Sequence, residues 1–69
     1  MKHLPIQSVD ILSVGYDAET QVLEVALKDG SIYRFVEVSN TVYTLFMSAQ
    51  DKSAYFKANI MDKYWVQKL

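Results

Sequence analysis

Cysteine is absent from the 69 residues, and the single histidine, His3, stands close to the amino terminus. Disulfides are excluded, and with so few soft or imidazole ligands a structural zinc site is excluded in practice. Glycine occurs only at Gly15 and Gly30, and both have strand or turn duties, so no glycine-rich phosphate loop can be drawn. No apolar run approaches the ~20 residues of a membrane span. The opening "MKHLPIQSVD" lacks the apolar stretch and cleavage pattern of a signal peptide. The cytoplasm is therefore the expected compartment, with no membrane partner. Net charge is small at −1, which removes any global field toward nucleic acid or an anionic surface. Convergent catalytic groups are also missing: there is no thiol, the histidine is terminal, and no serine has a partner base or nucleophile-elbow spacing. The expectation is a protein that is not an enzyme, with no catalytic residue, no metal and no cofactor.

What remains is a chain that is 51% hydrophobic and 13% aromatic, rich enough for an ordinary packed core. Its length allows one domain spanning 1–69, which buries roughly 60% of its unfolded surface and is only marginally stable. Charge is unevenly spread. Residues 1–40 hold Asp10, Asp17, Glu19, Glu24, Asp29 and Glu37 against Lys2, Lys28 and Arg34, whereas 41–69 hold Lys52, Lys57, Lys63 and Lys68 against Asp51 and Asp62.

The chain reads as strands first and helices second. "ILSVGY" at 11–16, "VLEVALK" at 22–28 and "SIYRFVEV" at 31–38 each alternate with the period of a half-buried strand. The turn between the second and third decides which face is buried. A two-residue loop on Asp29 and Gly30 would set Val25 against Arg34 and Glu24 against Phe35. A three-residue loop on Lys28, Asp29 and Gly30, with the glycine at positive φ, pairs Leu23 with Phe35, Glu24 with Arg34 and Val25 with Tyr33, so every pair matches. The earlier connection, Ala18 to Gln21, sets Tyr16 beside Leu23, Val14 beside Val25 and Leu12 beside Leu27. One apolar face is predicted: Leu12, Val14, Tyr16, Leu23, Val25, Leu27, Tyr33 and Phe35.

The second half supplies the cover. After Ser39 or Asn40 as N-cap, Val42, Leu45, Phe46 and Ala49 form an amphipathic stripe. Asp51 or Ser53 can cap a second helix carrying Tyr55, Phe56, Asn59 and Ile60. The tail "DKYWVQKL" favours a last strand over about 63–67. The fold expected is α+β: an antiparallel sheet, made of a three-stranded meander plus a C-terminal strand, with two short helices on one face in the order βββααβ.

Two surfaces are candidate binding sites. Arg34, pointing away from Tyr33 and Phe35, shares an open sheet face with Val22, Glu24, Ala26, Ile32 and Val36. Ile32, Arg34 and Val36 would form a contact with another protein or a second copy. The lysines of the second half are interleaved with aromatic rings. Lys57, Lys63, Trp65 and Arg34 are the candidate nucleic-acid contacts, with ammonium groups tracking phosphates and an outward ring stacking a base. For Trp65, a cover folded over Ile32 and Val36 is the preferred reading, and for Tyr33 and Phe35 core packing is preferred over base stacking.

"SVGYDAETQVLEVALKDGSIYRFVEV", followed by "SNTVYTLFMSA" and "SAYFKANI", resembles the KTSC domain, a short module named for the C-terminal extension of some lysyl-tRNA synthetases and found also as stand-alone bacterial proteins. The likeness runs from about Ser8 to Tyr64. Its central Tyr-x-Tyr mark is matched by Tyr33 and Phe35 around Arg34, and its helical aromatic pair by Tyr55 and Phe56. The resemblance implies an α+β module of uncharacterised function for which RNA binding has been suggested. The chain departs from the pattern at Phe35, which lacks the second hydroxyl, and in "KANIMDKY", where relatives are often arginine-rich. The leading expectation is thus an RNA-associated accessory module with weak affinity, and the alternative is a protein-interaction or homodimerisation module using the open sheet face.

Overall fold

The computed structural model describes residues 1–69. Four strands, β1 (His3–Pro5), β2 (Ile11–Asp17), β3 (Val22–Leu27) and β4 (Ile32–Phe35), precede two helices, α1 (Asn40–Ser48) and α2 (Lys52–Asn59), and β5 (Val66–Lys68) ends the chain. All strands lie in one antiparallel sheet in the order β1-β2-β3-β4-β5, with both helices between β4 and β5 in sequence. The sheet is therefore five-stranded, one strand more than the sequence implies. His3–Pro5 carries no alternation long enough to read, and its proline is tolerated because β1 is an edge.

The three-residue turn forms as expected. Leu27 N–H donates to Ser31 O at 2.8 Å, Gly30 N–H donates back to Leu27 O at 3.1 Å, and Gly30 has φ of 97°. Asp29 Oδ1 accepts from Ser31 N–H at 2.8 Å, which closes the turn further. The resulting register pairs Leu23 with Phe35, Glu24 with Arg34 and Val25 with Tyr33. Phe35 is fully buried, while Tyr33 and Tyr16 pack against the core's margin.

Leu12 corrects the predicted face. Ile11 pairs with Leu27, but the next pair is Ser13 with Ala26, so Leu12 is an extra residue in β2. This bulge turns Ile11 inward to full burial and leaves Leu12 55% exposed. Strict alternation cannot anticipate it, because two apolar residues stand side by side and either could be the inner one.

Ser39 caps α1, its hydroxyl accepting from Val42 N–H at 3.3 Å, and Asp51 caps α2, accepting from Ala54 N–H at 3.0 Å. The α1 stripe is rotated from the expected one. Val42, Tyr43, Phe46 and Met47 face the core, whereas Leu45 is 53% exposed. The reason is aromatic: Tyr43 stacks on Tyr16 with centroids 4.3 Å apart and planes 9° off parallel, and Tyr16 O–H donates to Val38 O at 2.6 Å. That contact rolls α1 toward β2. Phe35 meets Phe56 edge-on at 5.6 Å, and Phe46 lies 6.2 Å from Phe56, so one ring from β4 and one from each helix close the centre. Ile11, Val14, Leu23, Val25, Val38 and Ile60 fill the rest. Each such buried side chain contributes about 1.5–3 kcal/mol relative to exposure.

Candidate functional site on the open face of the sheet

Both helices cover one face of the sheet, so the pairing register tells which side chains stand on the other. Directly opposed residues share a face. The central outward row crosses all five strands as His3, Gly15, Glu24, Arg34 and Gln67. A flanking row holds Pro5, Ser13, Ala26 and Ile32, extended by Leu69, whose N–H donates to Ile32 O at 2.8 Å. On the other flank stand Asp17 and Val22, then Val36 with Trp65, joined by a bond from Val36 N–H to Trp65 O at 3.2 Å.

From His3 to Arg34 the central row is joined by side-chain hydrogen bonds that meet at Glu24. Glu24 Oε2 accepts from Arg34 through both Nε, at 3.0 Å, and one Nη, at 2.7 Å. The other carboxylate oxygen, Oε1, lies 2.8 Å from Nε2 of His3, and Nδ1 of the same ring lies 3.0 Å from Ser13 Oγ. Gly15 is what lets the imidazole reach so far. It sits under the ring, and a Cβ there would come within 2.7 Å of His3 Cδ2. The carboxylate is 12% exposed and Arg34 is 41% exposed, so the ion pair is half sheltered. The His3 hydrogen bond and the Arg34 guanidinium hold Glu24 below the ordinary glutamate range, against the opposing effect of burial. In the neutral ring one tautomer satisfies every contact: Nε2–H donates to Glu24, and bare Nδ1 accepts the Ser13 hydroxyl.

This arrangement corrects one reading of the sequence: a serine, Ser13, does have an imidazole within hydrogen-bond reach, because the near-terminal His3 is seated in β1. Alternation had already set Ser13 and Gly15 on the outward side of β2, beside Glu24 and Arg34, but nothing in "KHLPI" signals that His3 lies across them.

The residues singled out for binding fall into two groups. Arg34, Ile32, Val36 and Trp65 share the open face. Trp65 does not fold over Ile32 and Val36 as a cover: it is 67% exposed and precedes β5, which begins at Val66. Lys57 and Lys63 do not join them. Lys57, on α2, belongs to the opposite layer and pairs with Asp10 at 2.7 Å, which also accepts from Ser53 O–H at 2.7 Å. Lys57 and Ser53 hold Asp10 below its ordinary pKa, and Asp10 raises Lys57 in turn. Beside this pair lies a cleft of about 260 Å³ lined by Asp10, Leu27, Lys28, Asp29, Phe56 and Lys57. Lys63 follows α2 in an exposed turn, its N–H donating to Ile60 O at 3.1 Å. No cluster of His, Asp and Glu able to hold a metal ion occurs, and no helix is long and apolar enough to cross a membrane.

Comparison with known proteins places this geometry in a family. The model of the KTSC domain matches residues 7–64. An uncharacterised protein of Stutzerimonas stutzeri (strain A1501) is 36% identical over 56 residues, which cover 81% of this chain and 79% of that protein. A crystal structure of a KTSC domain protein from Yersinia pestis superposes with a TM-score of 0.93 at 32% identity, covering 99% of this chain and 96% of that one. With most of its length inside the family model and a solved relative superposing from end to end, the chain belongs to the KTSC domain family.

Proposed function

We propose that this KTSC domain is a homodimerisation module whose working surface is the open face of the sheet. The observation that carries the reading is that the charged centre of the face is already neutralised within one chain. Glu24 takes two hydrogen bonds from Arg34 and one from His3. A second copy laid on the centre of this face therefore meets a carboxylate and a guanidinium already compensated within one chain, which lowers the usual obstacle to covering ionised groups. Around that centre, half-buried Ile32 and Val36 and exposed Leu69 and Trp65 supply apolar surface, and tryptophan and arginine are the residue types enriched among interface anchors. An isologous contact uses the same patch twice, as a self-compensated face permits.

The RNA reading keeps one supporting observation, the exposed ring of Trp65 on the same face as Arg34. It loses the basic track, since Arg34 is engaged by Glu24 and Lys57 by Asp10 on the other layer.

Sedimentation velocity at two protein concentrations tests the proposal. Wild-type protein is expected to gain mass as concentration rises, and Ile32→Glu to stay monomeric by setting a charge against the partner's apolar surface. A monomer at every concentration that is retained on immobilised RNA at low salt, and released by Lys57→Glu with Lys63→Glu, would replace this reading with the nucleic-acid one.

A further inference from the structure

We infer that Ser13 is an activated nucleophile that accepts an acyl group from carboxylic ester or thioester donors, with His3 as its base and Glu24 as the positioning residue. The inference goes beyond dimerisation, and because a second copy on this face would cover Ser13, it is read out on dilute, monomeric protein, separately from it. Three contacts carry it. Ser13 Oγ lies 3.0 Å from Nδ1 of His3, the other ring nitrogen lies 2.8 Å from Glu24 Oε1, and Arg34 clamps Glu24 Oε2 at 2.7 and 3.0 Å. A hydroxyl within reach of a base, and that base oriented by a third group, is the arrangement that activates a weak nucleophile. The clamp keeps the carboxylate ionised and aimed, the carboxylate fixes the tautomer, and the tautomer leaves the Nδ1 lone pair facing Oγ. Gly15 adds an independent sign of construction, because the ring occupies space that any other residue there would fill.

In the step inferred, a bond forms between Oγ and the carbonyl carbon, and the bond from that carbon to the leaving oxygen or sulfur breaks. The hydroxyl proton passes to Nδ1 and from there to the departing group, so no oxidant or second reactant is needed. Ser13 lies between the β1 and β3 ladders, and the step uses no oxyanion hole. The outcome is a stoichiometric acyl-serine, with acceleration on the scale of a general base alone, roughly 100-fold.

The probe is p-nitrophenyl acetate, with the modified residue located by peptide mass mapping and exposed Ser48 at the end of α1 as the internal reference. Ser13 is expected to acetylate about 100-fold faster than Ser48. In His3→Ala the Ser13 rate falls to that of Ser48, and added imidazole, entering the space above Gly15, restores it. Gly15→Ala, which keeps all three groups but evicts the ring, also lowers the Ser13 rate. Circular dichroism verifies that each variant is folded, and Gly15→Ala stands in should His3→Ala unfold. Ser13 reacting no faster than Ser48, or losing nothing in either variant, or staying slow in His3→Ala with imidazole present, overturns the inference and leaves the array as a tether for β1.

Discussion

The imidazole of His3 lies directly over Gly15: a methyl group at that glycine would stand 2.7 Å from ring carbon Cδ2 and 3.1 Å from Nε2. Substitution of Gly15 by alanine is therefore expected to push the ring off its seat and break its bonds to Ser13 and Glu24. Each such bond is worth about 0.5–1.5 kcal/mol net, partly offset by the better strand propensity of alanine. Denaturant unfolding should show a loss of about 1–2 kcal/mol, with the amides of β1 exchanging faster than those of β3.

Gly30 makes the opposite demand. A Cβ there meets nothing within 4 Å, yet φ is 97°. Gly30→Ala should cost roughly 1 kcal/mol purely through backbone strain, and D-alanine at the same position should restore it. Gln21 and Glu37 adopt φ of 56° and 58° without being glycine, on either side of the bond from Val38 N–H to Gln21 O. Glycine at Glu37 should be neutral or stabilising by a few tenths of a kcal/mol in the same unfolding assay.

Much of this was legible in the chain, for reasons that can be stated residue by residue. Lys28-Asp29-Gly30 dictates the turn, the turn dictates which residues oppose one another, and the mismatch of charge with hydrocarbon in the other register leaves one solution. The inward Phe35 and the pairing of Arg34 with Glu24 follow. Leu12 and Leu45 were not legible, since a bulge and a helix roll depend on how Ile11 and Tyr43 pack across elements. The exposure of Trp65 depends on where β5 begins, and three residues of strand leave no periodic signal. His3 is the clearest case. Its role comes wholly from a long-range contact, and three residues at an edge carry too little pattern to announce it.

Acid should weaken the domain through Glu24. Its folded pKa is depressed below the ordinary value of 4.5, chiefly by His3 and then by Arg34. A depressed carboxyl contributes stability that is fully present above its unfolded pKa and is lost as pH falls through the folded one. The loss should begin below about pH 4.5. Glu24→Gln should lower stability at neutral pH by about 1–3 kcal/mol and flatten that part of the acid limb. Asp10 and Asp29, also held low by their partners, keep some acid dependence in the variant. Thermal melts of both proteins between pH 3 and 7 check the sign.

Phe46 and Phe35 are fully buried and meet through Phe56. Truncating either to alanine removes about 3–5 kcal/mol, comparable with the whole stability of so small a domain. Loss of cooperative melting and of near-ultraviolet circular dichroism is expected for both. Leu45→Ala, on the exposed side of α1, should change stability by less than about 0.5 kcal/mol.

Trp65 is the chain's one tryptophan and stands on the face through which the domain is proposed to pair, so its emission reports that face without any label. Recorded across a wide range of protein concentration, the emission should be red and readily quenched by acrylamide when dilute. It should shift to the blue and become protected when concentrated, with Ile32→Glu holding it in the dilute state throughout. A spectrum and quenching constant that do not change with concentration, in a range where the wild-type protein and Ile32→Glu behave alike, would contradict the account.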